Sequence, residues 1–195
     1  MKRLVDFTGS LIILIIFAPL FLLLFFMVWF NLGWPVFYIQ ERPGRNGKPF
    51  NIIKFRTMTN KCDDHGNLLP DQERTTTIGR FIRKASLDEL PEFFNVLKGD
   101  MSLVGPRPLL IKYLPYFTER ERKRHNVKPG ITGLAQVNGR NLLSWDMRLE
   151  MDVTYVENMS FWLDVRILFL TIINVIAQKD VLAVSSEQVP DFDDY

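Results

Sequence analysis

The sequence predicts a mainly helical α+β fold. An N-terminal re-entrant membrane helix hairpin precedes a cytoplasmic globular body built from amphipathic interfacial helices and one small β-hairpin. Three observations carry this expectation. Twenty consecutive apolar residues, Leu11 to Phe30, contain no polar group and are interrupted only by Pro19. Two runs rich in β-branched and aromatic residues flank Asn46-Gly47. Leu87, Leu90, Phe93, Phe94 and Leu97 recur at helical spacing. The expected organisation is a membrane-associated element over 1–35, a body over 36–179 and a flexible acidic tail over 180–195.

The apolar segment is too long for a signal-peptide core and is followed by Asn31-Leu32-Gly33-Trp34-Pro35 rather than a small-residue cleavage site. Twenty helical residues reach roughly 30 Å, enough to cross a hydrocarbon core. Two features argue for a return to the same side. Pro19 removes a backbone hydrogen bond near the middle, so the chain bends at Ala18-Pro19. Lys2 and Arg3 precede the segment, while Arg42, Arg45, Lys48, Lys54 and Arg56 follow it. Basic flanks prefer the cytoplasmic side, so both ends ask for one face. A kinked spanning helix is the alternative, since membrane helices tolerate proline.

In the body, Val36–Glu41 and Pro49–Met58 read as the strands of a hairpin, with Asn46-Gly47 as its turn. Residues Thr59–Glu73 read as a loop and Thr77–Lys84 as a short helix. Ser86–Lys98 is the best-specified helix: Ser86 and Glu89 fit a capping box and Gly99 a stop. Leu109–Tyr116 and Phe161–Gln178 suit either amphipathic helices lying in a membrane surface or buried core helices. The basic stretch Glu119–Lys128 reads as a solvated face, or as a surface for anionic headgroups or substrate.

Composition excludes several classes. Of the 195 residues, 47% are hydrophobic, too many for a disordered chain. A single cysteine, Cys62, excludes a disulfide framework, and with only His65 and His125 beside it zinc is not expected. No Walker loop, Gly-x-Gly-x-x-Gly or nucleic-acid-binding motif is present, so no nucleic-acid partner is expected.

The strongest chemical candidate is the pair Asp88-Glu89. Neighbours on a helix are rotated by about 100°, so the two carboxylates suit different tasks: one attacks or accepts a proton, the other holds a divalent ion. Asp88 shares the polar face with Glu92 and Asn95. A helix N-terminus would keep Asp88 ionised and receive phosphate. Equally, acids in a first turn are ordinary dipole complements, with Glu89 as the capping partner. Arg80, Arg83 and Arg107 surround the pair in sequence, as salt-bridge partners or as phosphate ligands.

Lys54-Phe55-Arg56-Thr57-Met58, Ile78-Gly79-Arg80-Phe81-Ile82-Arg83, Ser86-Leu87-Asp88-Glu89-Leu90-Pro91, the run from Asn95 to Pro108 and the run from Lys128 to Arg140 together resemble the bacterial sugar transferase family. Within it the chain resembles the small monotopic phosphoglycosyl transferases of the PglC type. The resemblance implies transfer of a phospho-sugar from a UDP-sugar to undecaprenyl phosphate, with UMP released, Mg²⁺ required, and the body on the cytoplasmic face of the bacterial inner membrane among its phospholipids. By that resemblance Asp88 is the nucleophile, and Asp88 and Glu89 are the catalytic and metal-binding pair. Arg107 is the best phosphate ligand, with Lys54, Arg56, Arg80 and Arg83 as further anion contacts or ion-pair partners, and Lys128 either helps form the nucleotide pocket or serves a structural turn. The family's helix break matches Pro19, although Ala18 stands where many members have serine. The PglC likeness points to an N,N'-diacetylbacillosamine-type donor and to protein glycosylation. The alternatives are a single displacement, with Asp88 or Glu89 as base, and a non-catalytic membrane-anchored scaffold.

Overall fold

The computed structural model describes residues 1–139 and 143–177. The expected tail at 180–195 and the last two residues of the expected body lie outside them. The apolar segment forms two helices, α1 (Lys2–Ile16) and α2 (Ala18–Leu32), bent by 66° about Phe17. Pro19 sits in the first turn of α2, where its missing N–H costs that helix nothing but cannot continue the bonding of α1. Among the described residues no single helix is long and apolar enough to cross a membrane, while the bent pair passes that test together.

Both ends of the pair are fastened to the body. At the start, Lys2 Nζ lies 2.6 Å from Asp164 and donates to Val104 O at 3.0 Å. Arg3 donates to the carbonyls of Val96 and Leu97, and the buried Asp6 accepts from Ser102 Oγ and Leu103 N, each at 3.0 Å. At the other end Arg56 donates to the Leu32 and Gly33 carbonyls, closing the C-terminus of α2. Leu24 and Val28 of α2 are buried with Val36, Phe55 and Ile82.

The expected hairpin is present: β1 (Phe37–Pro43) pairs antiparallel with β2 (Pro49–Phe55). Asn46 and Gly47 take positive φ of 57° and 72°, the conformation such a tight turn needs. The Thr59–Glu73 loop ends in a short helix, α3 (Asp71–Arg74). The helix α4 (Thr77–Lys84) forms as expected, with Thr76 Oγ1 accepting from Gly79 N.

The long helix expected over Ser86–Lys98 divides. Ser86 is left-handed (φ 54°) and makes no cap bond; Leu87–Glu89 is one 3₁₀ turn, and α5 begins only at Glu92 (Glu92–Lys98). The capping box is therefore not formed, because the Glu89 carboxylate is drawn to Lys54 and Arg107 instead. Pro91 serves as the lead-in to α5, a position that needs no N–H donor.

A second two-stranded sheet was not foreseen. Strands β3 (Ser102–Val104) and β4 (Gly130–Thr132) run parallel. Leu109–Tyr116 becomes a 3₁₀ stretch over Ile111–Tyr116, and its Tyr113 is buried with Phe117, Trp145 and Leu149. After two short helices, α6 (Glu119–Arg122) and α7 (Leu134–Val137), come α8 (Trp145–Glu157) and α9 (Phe161–Ile176).

In α9 three polar residues bond to the body, while Arg166 is exposed. Thr171 bonds Thr132, Asn174 donates to Val137 O, and Asp164 meets Lys2. Ile167 is buried, while Phe161, Trp162, Phe169, Ile172 and Ile176 form an exposed apolar face. The central core joins α5, β2, β3, α8 and α9 through Ile52, Val96, Met101, Leu103, Val104, Tyr155 and Ile167.

Candidate active site

The site assembles where the 3₁₀ turn, α5, the hairpin and the Gly105–Pro108 turn converge. Asn95, 1% exposed, fixes α5 against β2: its Oδ1 accepts from Ile53 N at 3.1 Å and its Nδ2 donates to Asn51 O at 2.7 Å. That clamp flanks Lys54, whose Nζ reaches Glu89 Oε1 at 2.7 Å and lies 3.1 Å from Glu92 Oε1. From the opposite side Arg107 Nη2 donates to Glu89 Oε1 at 2.5 Å. Among the described residues the Asp88 carboxylate takes no hydrogen bond or ion pair.

Two adjacent carboxylates thus acquire opposite characters. Burial opposes ionising Glu89, but Arg107 and Lys54 outweigh it and hold its carboxyl well below the usual range. Burial, reinforced by the charge of Glu89, pushes Asp88 up to about 6, against the pull of Lys54, Arg83 and Arg107. The expectation that a helix N-terminus would favour the Asp88 anion does not hold, since a single 3₁₀ turn has little macrodipole to offer. Above pH 7 Asp88 is nonetheless mostly ionised, and among the described residues it is unpaired. Glu92, 1% exposed, is pushed up to about 7 by burial and then by Glu89. It belongs to the site, and its shared face with Asp88 and Asn95 was the sequence signal for it.

The other expected site residues scatter. Arg83 is exposed on α4, near enough for its charge to reach Asp88. Arg80 is exposed on the same helix with no ion pair among the described residues. Arg56 is spent on the end of α2. Lys128 stands beside Gly99 and Arg3, at the far end of α5 from the dyad. The structure therefore brings Asp88, Glu89, Lys54 and Arg107 together, with Arg83 at the rim, and leaves Arg56, Arg80 and Lys128 outside the cluster.

One support was invisible in the basic stretch. Arg124 is buried, bound to Asp152 Oδ2 through Nη2 at 2.6 Å and Nε at 3.1 Å, and it donates to Arg107 O at 2.8 Å. Arg120 and Lys123 meanwhile form exposed pairs with Glu150 and Glu157. The inner pair holds the backbone of Arg107 to α8. Asp152→Leu alone is expected to lose about 3–5 kcal/mol, since it strands a buried guanidinium, while Arg124→Met with Asp152→Leu regains most of it. Denaturation of the single and double variants measures this; a double variant no better than the single would show that the loss comes from packing rather than stranded charge.

Residues 1–178 match the family described as bacterial sugar transferase. The chain is 54% identical over 181 residues to an uncharacterized sugar transferase, EpsL, of Bacillus subtilis, covering 93% of this chain and 90% of that protein. It is 41% identical over 197 residues to the undecaprenyl-phosphate galactose phosphotransferase of Salmonella typhimurium. That match covers 92% of this chain but only 41% of the longer protein. The exopolysaccharide production protein ExoY of Rhizobium meliloti is 38% identical, with 88% and 83% of the two chains covered.

Proposed function

Because the chain belongs to the bacterial sugar transferase family, we propose that it transfers a sugar-1-phosphate from a UDP-sugar to undecaprenyl phosphate, with release of UMP. The observation that carries this reading is a free, half-buried Asp88 beside a Glu89 immobilised by Lys54 and Arg107. In the proposed mechanism an Asp88 carboxylate oxygen attacks the β-phosphorus of the donor. The bond from that phosphorus to the bridging oxygen breaks, and UMP leaves with the electron pair. An oxygen of undecaprenyl phosphate then attacks the same phosphorus and displaces Asp88, giving the undecaprenyl-diphospho-sugar. Arg107, 42% exposed at its side chain, has guanidinium donors beyond those that meet Glu89 to offer the phosphates.

The donor set suits Mg²⁺. Among the described residues no group of three metal-ligating side chains exists. A hard cation that is held by one or two carboxylates, here Asp88 and Glu89, and otherwise by water and substrate phosphate, needs none. When bound it neutralises diphosphate charge. In the proposed arrangement the body lies at the cytoplasmic face of the inner membrane, and α1 and α2 dip into one leaflet and return to the same side. In support, both ends of that pair are tied to the same body. The exposed apolar face of α9, with Trp162, suits the headgroup boundary.

Purified protein in lipid nanodiscs, given Mg²⁺ and UDP-galactose, UDP-glucose or UDP-N,N'-diacetylbacillosamine, tests the reading. Expected are a burst of about one UMP per enzyme without lipid phosphate, sustained release once undecaprenyl phosphate is added, and parallel initial-rate lines. No burst and intersecting lines would favour a single displacement with Asp88 as base. No release from any donor would favour a scaffold.

A further inference from the structure

We infer that Arg42 is a further phosphate-binding residue of this site, its guanidinium taking a phosphate oxygen of one of the two substrates alongside Arg107. The inference rests on the transfer reaction proposed above. Its first support is register. Tyr38 lies opposite Lys54 in the hairpin, and alternation puts Tyr38, Gln40 and Arg42 on one face, the face that carries Lys54. The second is proximity: Arg42 Nη1 reaches the Pro108 carbonyl at 3.5 Å, which sets its guanidinium against the turn that presents Arg107.

The third support is what Arg42 lacks. Lys54 and Arg107 each have Glu89 as a counter-ion, whereas Arg42 has no carboxylate within ion-pairing distance among the described residues. Its acceptors are neutral, Gln40 Oε1 at 2.6 Å and the long bond to Pro108, and its Nε is buried without a partner. Burial and then the charge of Arg107 press its pKa below the ordinary value. Since arginine keeps its proton, Arg42 and Arg107 repel each other at a cost that the charge of Glu92 offsets only in part. An arriving phosphate recovers it, because its oxygens accept from both forks at once. A buried donor with no partner is a reason to look for the ligand that completes it. Tethered to Arg42 only through an uncharged amide, Gln40 yields to a charged acceptor.

The test uses Arg42→Gln and Arg42→Lys in nanodiscs with Mg²⁺. The KM for the UDP-sugar or for undecaprenyl phosphate is expected to rise about tenfold or more in the Gln variant, with partial recovery in the Lys variant. The melting temperature is expected to stay level or rise, because a like-charge repulsion has been removed. A shift in the donor KM with weaker calorimetric binding of UDP assigns the donor diphosphate. A shift in the acceptor KM with UDP affinity unmoved assigns the lipid phosphate. Unchanged KM values for both substrates, with or without a fall in melting temperature, would make Arg42 a strut for the Pro108 turn and overturn the inference. Should the Gln variant not fold, unchanged KM values for both substrates in Arg42→Met overturn it equally. UDP binding needs no turnover, so a wild-type protein that binds UDP through Arg42 yet releases no UMP would count against the reaction and not against the donor-phosphate assignment.

Discussion

Asp88→Asn removes UMP release, by at least about a thousand-fold, and at the same time stabilises the metal-free protein. The loss follows from chemistry: the amide preserves shape but has no anionic oxygen to attack phosphorus. The gain follows from electrostatics. Burial raises Asp88 from an ordinary 3.8 to about 6, so the folded protein prefers the neutral acid. That preference contributes stability below pH 4, and the contribution is lost as pH rises through about 6. At pH 7.5 the ionised group costs up to about 3 kcal/mol, less for a side chain that water partly reaches, and an asparagine avoids it. The variant should therefore melt a few degrees above wild type at pH 7.5 and level with it near pH 4. Glu89→Gln should do the reverse, because it strands Arg107 and leaves Lys54 with Glu92 alone. Thermal melts of both variants across that pH range decide the matter. A lower melting temperature for Asp88→Asn at pH 7.5 would mean that Asp88 is held for the fold rather than for attack.

What the sequence made legible was whatever neighbouring residues decide among themselves. The bend at Pro19 and the turn at Asn46-Gly47 are local, and both formed where expected. Ser86 and Glu89 show the limit of that logic. Their spacing weighs one capping bond, but an ionised Glu89 had two distant cations to choose from, and a pair of charge-assisted bonds outcompetes one cap. Arg56 and Lys128 were legible as cations and illegible as to destination, because a long side chain finds its partner only once the elements have packed. Arg124 was the same case in reverse: in a run of exposed bases, nothing marked it as the one that goes inside to Asp152. Strands β3 and β4 were missed because three residues each are too few for an alternation to be read.

Those two strands also account for the glycines around them, and Gly130→Ala is expected to cost about 3 kcal/mol or more, lowering the melting temperature by roughly 6–12 °C. A Cβ at Gly130 would lie 2.1 Å from Gly105 N and 2.4 Å from Thr132 O. Both neighbours are backbone, so no rotamer change relieves the overlap; one strand must move. The contact is reciprocal, since a Cβ at Gly105 would lie 2.9 Å from Gly130 N, and 2.5 Å from Lys128 O. The approach exists because the backbone groups here bond each other: Gly105 N donates to Thr132 O at 2.9 Å and Gly130 N to Pro106 O at 3.0 Å. Pro106 immediately precedes Arg107, so any displacement of β4 moves the guanidinium that holds Glu89. Activity should thus fall in Gly130→Ala even under conditions where the variant remains folded, whereas Gly47→Ala, at a positive-φ turn with open space around it, should cost only about 1 kcal/mol and leave the rate intact. Equal losses of rate at the two positions, once each is corrected for the folded fraction, would break the link between the β3–β4 contact and Arg107.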